Sequence, residues 1–297
     1  MRLDPIKINQ EEYEYIINHK QFIGAGEDGA VYYIGNGIAY KFYHNSILSH
    51  TFSSYENLYN KNRVLDPEGV NIAKYKVTDS SKYITLKYFD EYGVRLVREE
   101  ALYRAIERQK DVVETRLPQN LIYINGKSAG CSMDYYSAPN SIYKAARFSK
   151  RSKLMVLKYF LLKYKELIDH NIYPIDLSQR DKYYPSKRIN SNVLLNLKHE
   201  PIIIDLDGKS AIYTEKENQH FLKLANANFS KVVLEIITGI DLNENVMEED
   251  IELLINDLIE AGINPYLVQK FIYNNSLDIN DTKRCIDDYA LNHKIIK

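Results

Sequence analysis

Phe22-Ile23-Gly24-Ala25-Gly26-Glu27-Asp28-Gly29-Ala30-Val31-Tyr32-Tyr33-Ile34-Gly35-Asn36-Gly37-Ile38-Ala39-Tyr40-Lys41 reads as strand, glycine turn, strand, tight turn, strand. Gly24, Gly26 and Gly29 carry no side chains, so backbone N–H groups in that turn can approach an anion such as phosphate. Val31 and Tyr33 alternate with Ala30, Tyr32 and Ile34, which is the period of two of a strand leaving the turn. Gly35-Asn36-Gly37 then reverses the chain, because Asn-Gly pairs accept the positive φ of a short hairpin. The returning strand ends in Ala39-Tyr40-Lys41 and brings one ammonium beside the glycine turn, where it can hold phosphate charge. A lone G-x-G-x-x-G spacing also occurs in dinucleotide sites and in ordinary loops. A dinucleotide site, however, needs strand, glycine turn and helix, and that is not the order here.

A second segment, Pro201-Ile202-Ile203-Ile204-Asp205-Leu206-Asp207-Gly208, is an apolar strand that ends in two carboxylates and a glycine. Mg²⁺ is a hard cation that takes carboxylate oxygen and keeps several waters, so one or two acids at a strand's mouth suit it. The competing explanation is a strand closed by a plain Asp-Gly turn.

Together the two segments resemble the protein kinase-like superfamily, in a divergent bacterial or phage-type form. The resemblance implies an α+β fold of two lobes. Residues 1–136 would form a β-rich N-lobe with an inserted element at about 46–95, and residues 137–297 a reduced, mainly helical C-lobe carrying the catalytic and metal-binding loops. It implies that Gly24, Gly26, Gly29, Val31 and Lys41 hold ATP. Asp205 takes the place of the metal-binding aspartate, with Asp207 as a second ligand or a loop anchor. Asn192 stands thirteen positions before Asp205, the family's spacing for the asparagine that coordinates a second metal while its amide fixes the loop.

Upstream, Asn171-Ile172-Tyr173-Pro174-Ile175-Asp176-Leu177 looks like the start of the catalytic loop, with Asp176 as the residue that accepts the substrate hydroxyl proton. Here the chain departs from the family: Pro174 and Ile175 replace a histidine and an arginine, and residues 178–191 fill a normally short gap. The missing arginine is the group that would pair with a phosphorylated activation loop, so control by that route is not expected. Arg180, Lys182, Lys187 and Arg188 in the insert either steer acidic or phosphorylated substrates or form a solvated loop. Asp181, preceded by Arg180, rivals Asp176 for the catalytic role; Asp176 is preferred because it follows directly on a helix and an apolar strand.

Residues 117–136 read as a hairpin turning at Asn125-Gly126. Its second strand resembles the run into the family's hinge, making Met133 the gatekeeper and Asp134, Tyr135 and Tyr136 the segment whose backbone holds adenine. The family also pairs its lysine with a helical glutamate. Glu99, three residues before Leu102 and seven before Ile106, has the required spacing and is preferred to Glu56. Further along, residues 151–170, 229–239, about 247–261, 264–275 and 279–293 carry helical periodicity, with Gly239 as a stop and Asn264-Pro265 and Asn280-Asp281 as starts.

The 297 residues, 45% of them hydrophobic, suit two lobes. Met1-Arg2-Leu3-Asp4-Pro5 is too polar for a secretion signal and no apolar run approaches membrane-spanning length, so the expected location is the cytoplasm. Two cysteines, Cys131 and Cys285, exclude a disulfide framework or a cysteine zinc site. A net charge of −1 gives no general attraction to nucleic acid or to an anionic membrane. The expected activity is ATP- and Mg²⁺-dependent phosphoryl transfer, first to a protein Ser/Thr hydroxyl. The alternatives are a small-molecule acceptor of the aminoglycoside or choline kinase type, and a pseudokinase or nucleotidyl-transferring relative.

Overall fold

The computed structural model describes residues 4–25, 29–43, 112, 119–136, 140–177, 192–206, 211–213, 217–240, 242 and 248–295. Gly26, Glu56, Glu99, Asp181, Asp207, the element expected at 46–95 and the insert at 178–191 lie outside the described residues. Strands and helices together give an α+β protein of two compact units, one of Met1–Tyr136 with Asp205–Lys216, the other of Ser137–Ile204 with Glu217–Lys297. The segment from Asp205, placed by sequence with the helical part, thus groups with the first unit.

The first unit is built on a six-stranded sheet in the order β1-β5-β6-β4-β3-β2. Its strands are β1 (Ile6–Ile8), β2 (Gln21–Ala25), β3 (Gly29–Gly35), β4 (Ile38–Tyr43), β5 (Asn120–Ile124) and β6 (Lys127–Asp134). Both expected hairpins form, and for the expected reason. Asn36 and Gly37 have φ of 52° and 75°, Asn125 and Gly126 have φ of 49° and 76°, so each turn has two consecutive left-handed residues, as a twisted two-residue hairpin requires.

Helix α1 (Gln10–His19) was not anticipated. It starts with a capping box in which Asn9 Oδ1 accepts the Glu12 N–H and Glu12 Oε2 accepts the Asn9 N–H, both at 2.8 Å. Tyr13, Ile16 and Ile17, at helical spacing, pack with Tyr32, Tyr40, Phe42 and Ile122 from one face of the sheet. The Tyr13 and Phe42 rings meet edge to face, 5.0 Å between centroids.

The second unit centres on α2 (Lys150–Asp169) and α3 (Gln219–Thr238). The apolar stripe of α2, including Leu154, Leu157, Phe160, Tyr164 and Leu167, is buried. Tyr164 stacks on Phe229 at 4.0 Å, and its hydroxyl donates to Asn226 Oδ1 at 2.8 Å, so this buried polar group is satisfied; burial raises its pKa well above the usual tyrosine value. Helix α3 begins ten residues before the apolar run at 229–239 suggests, capped by Asn218, and it ends at Gly239 in the left-handed conformation (φ 82°). Helices α4 (Glu248–Glu260), α5 (Pro265–Asn274) and α6 (Ile279–Asn292) follow close to the expected bounds. The cap of α6 is Asp278, whose carboxylate accepts the Asp281 N–H at 2.9 Å, rather than the Asn280-Asp281 pair. Shorter strands β7 (Asn140–Ser141), β9 (Val193–Leu195) and β10 (Pro201–Ile203) form a three-stranded sheet in the order β10-β9-β7. Strand β8 (Ile172–Pro174) is fully buried, and β11 (Ala211–Tyr213) belongs to the first unit. No helix among the described residues is long and apolar enough to cross a membrane.

One glycine sets how closely β4 and β6 approach: a Cβ on Gly130 would lie 2.0 Å from the Lys41 carbonyl oxygen. Gly130→Ala must therefore push the two strands apart and is expected to destabilise by about 1–3 kcal/mol. Gly24→Ala, where a Cβ meets nothing within 4 Å, is the matched control. Hydrogen exchange across Ile38–Tyr43 and Lys127–Asp134 reads the effect. Equal protection in the two variants would show that the close approach is not needed.

Candidate functional site

Lys41 is placed by two ladders. It lies directly opposite Val31 on β3 and opposite Cys131 on β6, while Ala39 lies opposite both Tyr33 and Met133. Directly opposed residues share a face and the period along a strand is two, so Val31, Tyr33, Ala39, Lys41, Cys131 and Met133 lie on one face of the sheet. Tyr32, Tyr40 and Phe42 lie on the other face, against α1. The glycine hairpin's lysine and the expected gatekeeper are thus on the side that the α1 core does not use. Ala39 is buried and next but one to Lys41; its place on this face follows from the same alternation and could have been read from the sequence.

The Lys41 Nζ donates to Asp205 Oδ1 at 2.6 Å, closing an ion pair between side chains 10% and 21% exposed. These residues are 164 positions apart. Asp205 has φ of 62°, the left-handed region that costs an ordinary L-residue about 1–2 kcal/mol and that aspartate tolerates better than most. The strand Pro201–Ile203 ends just before it, so the chain turns sharply where the carboxylate is presented.

The segment expected to be a hinge is tied to the glycine hairpin's tight turn. Tyr135 N–H donates to the Gly37 carbonyl at 2.8 Å, and the Tyr135 and Tyr33 rings lie 4.2 Å apart. Asp134 Oδ1 accepts from Gln119 Nε2 at 2.7 Å. The main-chain donor of Tyr135 is therefore engaged by Gly37. Tyr33 was not picked out from sequence, although it lies two residues beyond Val31 and so shares its face.

In the second unit, Asn192 is buried, and its Nδ2 donates to the main-chain carbonyl of Asp176 at 2.7 Å. The Asn192 carbonyl accepts the Ile204 N–H at 2.8 Å. Asn192 thus ties the segment ending in Asp176 to the residue that immediately precedes Asp205. The same segment is anchored at Tyr173, whose hydroxyl accepts the Asn218 N–H at 2.9 Å at the start of α3. Among the described residues no group of three or more His, Cys, Asp or Glu side chains gathers as a metal cluster.

No model of a known protein family and no curated protein matches this chain.

Removing the Asn192 carboxamide takes the donor from a partly buried carbonyl, so Asn192→Ala is expected to cost about 1–3 kcal/mol. It should also speed hydrogen exchange at residues 172–177 while leaving the middle of Lys150–Asp169 unchanged. Unchanged exchange at residues 172–177 would mean that the bond does not anchor that segment.

Proposed function

We propose that this chain is an ATP- and Mg²⁺-dependent phosphotransferase with a bilobal protein kinase-like fold, transferring the γ-phosphate to a protein Ser/Thr hydroxyl. The observation that carries the reading is the Lys41–Asp205 ion pair: the lysine delivered by the glycine hairpin meets the carboxylate at the mouth of the apolar strand. Two further observations support it. Neither φ nor packing requires glycine at Gly24, which suits a position kept bare for a ligand. The Asn192 amide nitrogen fixes the loop at Asp176, as the asparagine of such a site should.

The donor set fits a hard cation. On this reading Asp205 would supply carboxylate oxygen, with Asp207 two positions further along the chain, and Asn192 would supply carboxamide oxygen; oxygen donors of these kinds are typical of a Mg²⁺ site completed by phosphates and water. Bound Mg²⁺ would neutralise charge on the β and γ phosphates. Lys41 would hold the α and β phosphates, and the backbone of the glycine turn would close over the γ-phosphate. Asp176 would orient the acceptor hydroxyl and take its proton as the acceptor oxygen bonds to the γ-phosphorus and ADP leaves with the bridging oxygen's electron pair. Glu99 is assigned as the partner that holds Lys41 in register once nucleotide separates it from Asp205. Met133, Asp134 and Tyr135 would border the base, with Tyr135 contributing through its carbonyl or ring because its N–H is bonded to Gly37.

A small-molecule acceptor is the second reading, favoured by Pro174 and Ile175 in place of the family's histidine and arginine. Incubation with γ-labelled and, in parallel, α-labelled ATP with Mg²⁺, read by intact mass, separates the possibilities. The expected result is self-phosphorylation from the γ position that is lost in Asp205→Ala. Label from the α position would replace phosphoryl by nucleotidyl transfer. ATP binding without label would favour a small-molecule acceptor or a pseudokinase, and a fully active Asp205→Ala protein would overturn the site.

A further inference from the structure

We propose that the second unit docks an acidic, unstructured stretch of a partner protein on a surface carrying Arg147, Lys150, Arg151 and Lys198, with Leu197 taking one of its apolar side chains. The inference is independent of the catalytic reading. The chain is almost neutral, with 39 basic and 40 acidic residues, yet residues 135–165 hold eight lysines and arginines and no acid. That run supplies strand β7, a 3₁₀ turn over Ile142–Arg147 and most of α2. The turn between β9 and β10 joins it, because the His199 ring lies 4.5 Å from the Phe148 ring. Lys198 adjoins that contact on one chain segment, and Arg147, Lys150 and Arg151 stand within three residues of it on the other.

All four cations are exposed, and none of them forms an ion pair among the described residues, whereas Lys41, Lys165, Lys270 and Lys283 each meet a carboxylate. Lys150 and Arg151 also occupy the first turn of α2, which holds no acid, although the helix dipole disfavours cations at that end. The buried Lys153 ammonium is held below the usual lysine range, first by burial and then by the charge of Lys150. Glu200, the acid closest to Lys198 in sequence, has its Oε2 engaged by Asn196 Nδ2 at 2.7 Å. Positive charge left uncompensated in this way attracts a polyanion.

The β9–β10 turn selects among polyanions. Asn196 Oδ1 accepts the N–H groups of Lys198 and Glu200 at 2.8 and 2.9 Å, which fixes the turn, and Leu197 on it is 70% exposed. An aliphatic side chain presented beside a cation fits an apolar residue of a peptide better than a phosphate. Phe148, the ring within this surface, is engaged by His199 rather than offered as a platform for a base. An extended acidic segment of about ten residues spans roughly 30 Å, enough to run along these groups without a fixed shape of its own.

The test is fluorescence anisotropy of the full chain with a labelled, unstructured peptide of about ten residues, mostly Glu with one central Leu. The expected result is binding at about 0.05 M salt that weakens steeply by about 0.5 M, as the screening length shrinks. Arg147→Glu with Lys198→Glu, and separately Lys150→Glu with Arg151→Glu, should each weaken binding at least about tenfold, the scale on which like charges across an interface act. Lys7→Glu with Lys20→Glu, the same change of net charge placed in the first unit, should alter it by less than about twofold. Leu197→Ser should weaken the peptide severalfold, and should leave unchanged a peptide with Ser in place of its Leu. Circular dichroism melts confirm that the variants are folded. No binding up to about 1 mM peptide, an equal loss in the Lys7 and Lys20 pair, or tighter binding of a poly-dT oligonucleotide or of phosphatidylserine vesicles overturns the proposal.

Discussion

The ion pair between Lys41 and Asp205 is the contact around which the first unit makes sense. An ammonium and a carboxylate at 2.6 Å, with side chains only 10% and 21% exposed, have both given up much of their hydration. Attraction at such a site offsets desolvation without a large surplus, and well-packed apolar residues commonly stabilise as much. The carboxylate also sits on a residue with φ of 62°, a second local cost at the same position. Strained residues and partly desolvated charges that coincide are poor devices for stability and good ones for presenting chemistry, which is the direction in which an observed outlier supports a functional reading. The pair also joins β4 to Asp205, the first residue of the segment Asp205–Lys216 that belongs to the same unit.

What positions Lys41 is the period of the sheet. A one-residue slip between β3 and β4 would turn Lys41 towards α1, into the space of Tyr13, Ile16 and Phe42. The register is held at both ends. The Asn36-Gly37 turn sets the β3–β4 pairing, and Gly130 lets β6 approach β4 closely enough for Cys131 to lie opposite Lys41. The bond from Tyr135 N–H to Gly37 O then ties the end of β6 to that same turn, so one reversal of the chain fixes both the lysine and the segment after Met133.

How much of this was legible follows from the range of each interaction. Both hairpins were, because an Asn-Gly turn is decided by the φ preferences of two residues. The helices 150–169 and 265–274 were, the first from its apolar stripe and the second from its stripe and the Asn264-Pro265 start, because these signals are local. Helix α1 carries the same kind of signal in Asn9 and Glu12, which form its capping box, and in the apolar spacing of Tyr13, Ile16 and Ile17. The early start of α3 at Gln219 is a different case: residues 219–228 are polar enough to resemble a loop, and their helix is set by the Asn218 cap and by burial of Phe221 and Ala225. The Lys41–Asp205 pair could not be read from pattern, since nothing local joins residues 164 positions apart; only the resemblance brought them together in advance. The role of Gly130 was invisible because it depends on the neighbouring strand.

On the proposed reading, the departures at Pro174 and Ile175 become intelligible once the anchoring of their segment is known. A segment that lacks the arginine for a phosphorylated loop must be held by something else, or Asp176 would have no fixed place. Strand β8 is held by burial of all three of its residues. The Tyr173 hydroxyl accepts the Asn218 N–H at 2.9 Å, and Asn192 Nδ2 donates to the Asp176 carbonyl at 2.7 Å. Both bonds join uncharged groups of the chain itself and need no added phosphate. On the proposed reading, Asp176 is therefore held in place without the covalent switch that a charged anchor would require. Such a site would be expected to depend for control on access of its acceptor, not on its own phosphorylation.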